Sequence, residues 1–259
     1  MNKVTLLDKI KSSVSEVPVE QEFLDSLKRV VVLENKPRPR SPYFKPSSLN
    51  CARLMYFDCI QAQQDNKDED YSGIRICETG SNSHENLQRY CSELKKYNTN
   101  FEYYDVERYV KEHKLDYLEI KGRVGYEVKL FDTRYNISFL CDGILKYDSG
   151  NGIVKWYIVE FKTESDRTGV YRDQVNAKHI LQSVSYSLSL QINDIIWLYE
   201  ERNYCVPKVF HTFVTQEQRN NLVELFNYVN QCVVNKVPPQ KVSDTDCNYC
   251  CYKKVCSKI

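Results

Sequence analysis

The stretch that decides the fold is IVKWYIVEFK, residues 153–162. Its β-branched and aromatic residues predict an interior β-strand, because such side chains pack well on a pleated, buried surface. Two charged residues, Glu160 and Lys162, close this run. Side chains alternate between the two faces of a strand, so Glu160 and Lys162 point to one face and their apolar neighbours to the other. A carboxylate and an ammonium held together in a buried strand predict a functional site.

The pattern Glu-x-Lys is common in this chain, and only its context selects one copy. It occurs six times, starting at Glu34, Glu93, Glu112, Glu119, Glu127 and Glu160. The copy at Glu160 alone closes a long hydrophobic run. Charged groups are costly to bury, so their presence there indicates a function. We therefore place the site at Glu160 and Lys162.

A second apolar segment, YNISFLCDGILKY at residues 135–147, carries one acid, Asp142. The sequence YDSGNG that follows, residues 147–152, is a strong turn signal. The two segments are therefore predicted to form a hairpin that brings Asp142 close to Glu160. Carboxylate oxygens are the ligands that Mg²⁺ and Mn²⁺ prefer, so the pair predicts a divalent metal site.

Hydrophobic periodicity predicts an α/β fold with a sheet flanked by helices. Helices are expected at residues 1–34, 47–60, 81–97, 172–189 and 216–235. Strands are expected at residues 103–112, 116–120, 123–131, 135–146, 153–162, 194–200 and 208–214. Residues 61–73 are predicted to form a polar loop.

Length and charge limit the class of protein only loosely. The 259 residues suffice either for one large domain with a substantial core, which is the preferred interpretation, or for a domain with an appended small module. The formal net charge of +1 neither favours nor excludes nucleic acid, because phosphate binding depends on a local patch. One basic stretch, from Lys36 to Phe57, has no acid and includes Tyr43 and Phe44. It is interpreted either as a nucleic-acid contact, with rings stacking on bases, or as a proline-rich solvated loop.

The sequence predicts a cytoplasmic location. The N-terminus MNKVTLLDK lacks the apolar region of a secretion signal, and no uncharged apolar run is long enough to cross a bilayer. The eleven cysteines then indicate metal binding rather than disulfides, because the cytosol keeps thiols reduced.

The cysteines are densest at the C-terminus, where Cys247-x2-Cys250-x5-Cys256 has ligand-type spacing. Three thiols need a fourth ligand to hold either a 4Fe–4S cluster or tetrahedral zinc. The candidates for the fourth ligand are Cys51, Cys59 and Cys251. A site that includes Cys51 would join the two ends of the chain.

Three further polar residues are candidates for the site. His84 follows Gly80 by four residues near the start of a predicted helix, where imidazole serves as a ligand or a phosphate donor, or has a structural role. Gln182 and Tyr186 are four residues apart, so they lie on one helix face. They either contact phosphate or base, or belong to a half-buried amphipathic helix.

The order of these motifs resembles that of the RecB-type nucleases of the PD-(D/E)xK superfamily. The motifs are Gly80-x3-His84, Asp142, Glu160-x-Lys162 and Gln182-x3-Tyr186. The flanking cysteines resemble the iron–sulfur branch of that group, which includes the AddB nuclease domain and the CRISPR-associated iron–sulfur exonucleases. The chain departs from the family at Ala52, where proline is frequent, at the extra thiol of Cys251 and at residues 61–73, which look like an insertion.

The resemblance implies a restriction-endonuclease-like mixed central β-sheet flanked by helices. It implies three parts: an N-terminal helical segment at 1–46, a nuclease core at 47–236 and a cysteine-rich segment at 237–259 that packs with Cys51. The implied cluster ligands are Cys51, Cys247, Cys250 and Cys256. The implied ligands of Mg²⁺ or Mn²⁺ are His84, Asp142, Glu160 and the carbonyl of Phe161.

The resemblance also implies roles for the remaining residues and a substrate. Lys162 would position and deprotonate the attacking water, and Gln182 and Tyr186 would orient the strand. The implied activity is that of a DNA exonuclease on single strands or DNA ends in recombination, repair or replication, in a phage or its host. A helicase, recombinase or annealing protein would be its partner. The alternatives are a structure-specific or site-specific endonuclease, a non-catalytic iron–sulfur DNA-binding protein, and structural zinc in place of the cluster.

Overall fold

The computed structural model describes residues 18–35, 41–65, 71–165, 172–242, 247 and 250–259. The helices are α1 (Val19–Glu34), α2 (Ala52–Cys59), α3 (Tyr71–Ser92), α4 (Leu94–Tyr97), α5 (Val106–Glu112), α6 (Ala177–Leu190), α7 (Gln216–Asn235) and α8 (Lys253–Cys256). The strands are β1 (Phe101–Tyr104), β2 (Leu118–Val124), β3 (Glu127–Asp132), β4 (Ile137–Cys141), β5 (Gly143–Asp148), β6 (Val154–Glu164), β7 (Asp194–Glu201) and β8 (Pro207–Phe213).

The chain divides into two compact units. The described residues of the first are 18–35 and 71–79, which form α1 and the first turns of α3. No residue of α1 is buried. Residues 1–17, also predicted to be helical, lie outside the described residues. The second unit contains both sheets, the remaining helices and every candidate site residue.

The second unit is a mixed α/β structure with a central, mostly antiparallel sheet flanked by helices. The central sheet has five strands in the order β1-β5-β6-β7-β8, and only β6 and β7 are parallel. Helix α6 makes the crossover between these two strands, as a parallel connection requires. A separate three-stranded antiparallel sheet has the order β2-β3-β4. Among the described residues, no helix has the length and apolar content needed to cross a membrane.

The predicted hairpin is present as β5 and β6, with Gly143 opposite Val159. The predicted strand at 135–146, however, is two strands in two different sheets. Cys141 at the end of β4 pairs with Val128 of the small sheet, whereas Gly143 at the start of β5 pairs within the central sheet. Asp142 is the one residue between them, at the point where the chain passes from one sheet to the other.

The predicted strand at residues 103–112 is wrong. Strand β1 ends at Tyr104, and α5 begins at Val106 after Asp105, whose side chain accepts a hydrogen bond from the backbone of Arg108. The buried residues of this helix are Val106, Tyr109 and Val110. Their spacing of three and four residues is typical of a helix, and the aromatic and β-branched content masked it. The loop predicted at 61–73 also ends early, because α3 begins at Tyr71.

The basic stretch before α2 is partly core. Phe44 is completely buried and stacks on Phe226 of α7, with ring centroids 4.9 Å apart. The interpretation of Phe44 as a ring that stacks on bases is therefore wrong. Tyr43 is half-buried and lies 4.6 Å from the ring of Phe131 in β3.

Candidate metal centre

Asp142 lies close to two other acids. In the small sheet the last pair is Val128 with Cys141, and Glu127 and Asp142 are the next residues of the two segments. In the central sheet the first pair is Gly143 with Val159, and Asp142 and Glu160 are the next residues. The change of sheet at Asp142 therefore brings the three carboxylates close enough for Glu160 and Glu127 both to raise the pKa of Asp142.

His84 completes this acidic group. Its Nδ1 atom lies 3.8 Å from Asp142 Oδ1 and 3.9 Å from Glu127 Oε1. Among the described residues, His84, Glu127 and Asp142 form the only group of three such side chains whose ligand atoms all lie within 4.8 Å of one another. One imidazole and two carboxylates form a donor set that suits a divalent cation. The residues at this point therefore fit the metal that the sequence predicts.

Glu160 lies beside this group, and within the described part of the chain only one of its two carboxylate oxygens has hydrogen-bond partners. Its side chain is 2% exposed, and its Oε1 atom accepts hydrogen bonds from Lys162 Nζ at 2.5 Å and from Gln182 Nε2 at 2.7 Å. Its Oε2 atom is buried and has no hydrogen-bond partner among the described residues. A buried carboxylate oxygen without a partner is costly, so a bound cation is the expected partner.

Lys162, Gln182 and Tyr186 form a connected group on the other side of Glu160. Lys162 Nζ also donates to Gln182 Oε1 at 3.2 Å, and Gln182 Nε2 also contacts the Tyr186 hydroxyl at 2.6 Å. Gln182 and Tyr186 lie one turn apart on α6, as the sequence predicts. The helix thus covers the face of β6 that carries Glu160 and Lys162.

Burial and neighbouring charges shift the pKa values of two groups at the centre. The pKa of Asp142 is raised well above its usual range, first by burial and then by the neighbouring Glu160 carboxylate. Burial lowers the pKa of Lys162, but the carboxylates of Glu160 and Asp142 outweigh it and raise that pKa above its ordinary value. The Lys162 ammonium is therefore the resident form.

The main chain at Asp142 is held by two elements. Its carbonyl accepts hydrogen bonds from Gln88 Nε2 at 3.0 Å and from the Tyr103 hydroxyl, and its Oδ2 atom accepts one from the Phe161 amide at 2.7 Å. Gln88 lies one turn after His84 on α3. At Gly143 an added Cβ would lie 2.2 Å from the Tyr103 ring, so the close approach of Tyr103 requires glycine.

The structure brings most of the predicted site residues together. His84, Asp142, Glu160, Lys162, Gln182 and Tyr186 lie in one connected group. The amide of Phe161 binds Asp142, and its ring is buried. Sequence reasoning missed Glu127, which belongs to one of the six Glu-x-Lys triplets. The signal was present, because Glu127 opens an alternating strand-like run next to the segment that carries Asp142.

The predicted cluster cysteines also meet. Cys51, Cys247, Cys250 and Cys256 line one cavity of about 120 Å³. The pKa of Cys250 is raised by burial and, in addition, by the nearby thiols of the other three. Neither Cys59 nor Cys251 is among the described residues that line this cavity. All eleven cysteines lie in the described part of the chain, and none forms a disulfide.

The C-terminal segment docks on α2 and the loop after it. Arg53 Nη1 donates to the Cys256 carbonyl at 3.1 Å and contacts Cys256 Sγ at 3.4 Å. The Tyr252 hydroxyl donates to buried Asp58 at 2.8 Å, and the Asp65 amide donates to the Cys251 carbonyl at 2.7 Å. These contacts hold the C-terminal segment, with Cys256, against the part of the chain that follows Cys51.

The sequence matches no family model and no curated protein. The comparison with solved structures finds several that are similar to this chain. The crystal structure of SSO0001 has 15% sequence identity and a TM-score of 0.46 over 90% of this chain and 96% of that one. LHK-Exo in complex with dAMP has 10% identity and a TM-score of 0.44, over 76% and 90%. The alkaline exonuclease LHK-Exo from Laribacter hongkongensis has 9% identity and a TM-score of 0.43, over 80% and 93%.

Proposed function

We propose that the protein is a nuclease that hydrolyses DNA phosphodiester bonds with Mg²⁺ or Mn²⁺ held by His84, Glu127, Asp142 and Glu160. The observation that carries the proposal is the unpartnered Oε2 atom of Glu160 beside the group of His84, Glu127 and Asp142. A divalent cation there would activate water and neutralise charge on the phosphate. The donor set is that of a hard cation, and no residue of the group is soft.

The surrounding side chains have separate roles in this proposal. Lys162 fixes Glu160 and places a compact positive charge where negative charge develops in the transition state. Gln182 forms hydrogen bonds with Lys162, Glu160 and Tyr186 and thereby fixes their relative positions. Because the pKa of Lys162 is raised, its side chain is an ammonium that positions water and stabilises charge. Lys162 could deprotonate water only if the cation lowered the pKa of Lys162.

Exonuclease action of the RecB type in recombination, repair or replication is the preferred form of this activity. It is supported by the order of the motifs from Gly80 to Tyr186. Endonuclease action on a flap or a specific site is the second candidate. A purely DNA-binding role gives no purpose to the buried acids Asp142 and Glu160 or to the half-buried Lys162. The helicase, recombinase or annealing partner and the cytoplasmic location also remain proposals.

We also propose that Cys51, Cys247, Cys250 and Cys256 hold a 4Fe–4S cluster with a structural role. These four thiols line one cavity, which supports a shared bound group. Structural zinc, which also takes four thiolate ligands, is the alternative. The cluster would fix the C-terminal segment against α2.

Cleavage of end-labelled DNA tests the main proposal. Linear and circular DNA, each single-stranded and double-stranded, are incubated with Mg²⁺, Mn²⁺ or chelator. Exonuclease action degrades only linear substrates and only with metal, whereas cleavage of circles identifies an endonuclease. Glu160→Gln removes cleavage, and Glu93→Gln, which alters an exposed triplet, leaves it unchanged. Full activity of Glu160→Gln would overturn the site.

Metal analysis of anaerobically purified protein tests the cluster. The protein is expected to be brown and to contain iron and sulfide, both of which are lost in Cys256→Ser. The exposed Cys205 provides the matched control, Cys205→Ser, which keeps both. Colourless protein with stoichiometric zinc would reject the cluster and leave the nuclease proposal intact.

A further inference from the structure

The three-stranded sheet has one buried face and one open face. In β3, Val128, Leu130 and Asp132 are buried, whereas the residues between them point the other way. Strand β4 shows the same alternation, with Ile137, Phe139 and Cys141 on the buried side. An antiparallel sheet with one solvated face is common. On the open face of β2, β3 and β4, Lys129 is exposed and Phe131, Ser138 and Leu140 are half-buried, so this face is partly accessible to a ligand.

Aromatic and basic groups lie along this open face. The ring of Tyr43 packs against the ring of Phe131 on this face, and Lys121 Nζ lies 5.5 Å from the centroid of the Phe131 ring. Lys129, two residues before Phe131, is exposed. Lys121 is bound to Glu119, whereas none of the ion pairs among the described residues involves Lys129. An exposed ammonium on a strand face that also carries aromatic rings is the chemistry that binds single-stranded nucleic acid.

The face leads directly to the metal centre. Glu127, the first residue of β3, is one of its acids, and Lys129 follows at about 7 Å along the strand. The turn before β3 consists of Gly125, with φ of +59°, and Tyr126. Tyr126 is 39% exposed and Val124, which pairs with Glu127, is 64% exposed. An exposed ring thus lies next in sequence to a metal-centre carboxylate.

We propose that the open face of β2, β3 and β4 is a platform for a single DNA strand whose end lies in the metal centre. On this platform Tyr126 stacks on a base beside the scissile phosphate, and Lys129 contacts a backbone phosphate. The proposal rests on the proposed nuclease function. A single strand is the occupant because its bases are free to stack on a ring, whereas those of a duplex are turned inward.

Binding of a fluorescent oligothymidylate tests the platform, with Lys162→Ala as the parent protein so that the strand is not cleaved in Mg²⁺. Lys129→Ala and Tyr126→Ala are added to this parent and compared with the matched exposed controls Lys155→Ala and Tyr204→Ala. Dissociation constants are measured by anisotropy over a series of salt concentrations. Thermal unfolding of each variant verifies the fold.

The two substitutions are expected to change DNA binding in different ways. Lys129→Ala reduces the slope of log affinity against log salt by about 0.7, the value for one phosphate contact with a single strand. Tyr126→Ala weakens binding about tenfold with the slope unchanged, and Tyr126→Phe restores it, because a ring stacks without its hydroxyl. Both controls bind as the parent does.

Two failures are distinguishable. A parent protein that binds no DNA overturns the nuclease proposal and the platform with it. A parent that binds, with affinity and salt slope unchanged in both Lys129→Ala and Tyr126→Ala, overturns the platform alone.

Discussion

Two Glu-x-Lys triplets flank Asp142, one in each sheet, and the protein uses them differently. In β6, α6 covers the triplet, so Lys162 is only 17% exposed and donates to Glu160 Oε1. In β3, Glu127 lies beside His84 of α3, whereas Lys129 is exposed. The local pattern is identical. What covers the strand therefore decides whether the lysine becomes part of a reaction centre or part of a surface.

The largest expected effect separates the two lysines. Lys162→Met should lower kcat by at least about 10²- to 10³-fold, because it removes a positive charge that is buried beside the reacting phosphate. Lys129→Met should leave kcat unchanged and raise KM a few-fold, because Lys129 contributes only binding. Steady-state kinetics on a labelled single strand measure both. An equal loss of kcat in the two variants would contradict the difference in role between Lys162 and Lys129.

The two glutamates should differ in metal rescue. Glu127→Gln is expected to weaken Mn²⁺ affinity at least about tenfold, and saturating Mn²⁺ should restore cleavage, because the other ligands remain. Glu160→Gln should resist rescue, since Glu160 also holds Lys162 and Gln182. Titration of activity with Mn²⁺ gives the comparison. Rescue of both variants, or of neither, contradicts separate roles for the two triplets.

The free energy of unfolding should be sensitive to one methyl group added at Gly143, which follows Asp142 between the two triplets. Gly143→Ala places a Cβ against Tyr103, so the free energy of unfolding should fall by about 1–3 kcal/mol. Tyr103→Phe, which loses only the hydrogen bond to the Asp142 carbonyl, should cost about 1 kcal/mol. Urea unfolding compares the two. An unchanged midpoint in Gly143→Ala would show that the ring does not lie where the structure has it.

The smallest expected effect is on a neighbouring histidine. His179 on α6 has a pKa lowered to about 4 by burial, by Lys162 and by Arg172. Because removing a nearby positive charge favours the protonated form, Lys162→Met should raise this pKa, and Lys129→Met should leave it unchanged. Titration of the histidine ring signals by NMR measures the shift. An equal response to both variants would place the two lysines in similar surroundings.

Local features could be read from the sequence, and non-local ones could not. Strand β6 and helix α7 were predictable because their patterns are long and α7 begins with a capping box at Thr215 and Gln218. The division of residues 135–146 between two sheets was hidden, because both halves read as one apolar run. The alternating run that begins at Glu127 was visible, but its place in the site depends on the pairing of β3 with β4, which is not local in sequence. The burial of Phe44 likewise depends on a partner far along the chain, Phe226.

The change of sheet at Asp142 has a mechanical consequence. Because the proposed ligands come from both sheets and from α3, a bound cation would cross-link these three elements. Bending of the small sheet relative to the central one would separate Glu127 from Glu160, so the loaded protein should be stiffer than the metal-free one. A force applied to DNA bound on the small sheet would then be transmitted to the reacting phosphodiester bond through the metal ligands.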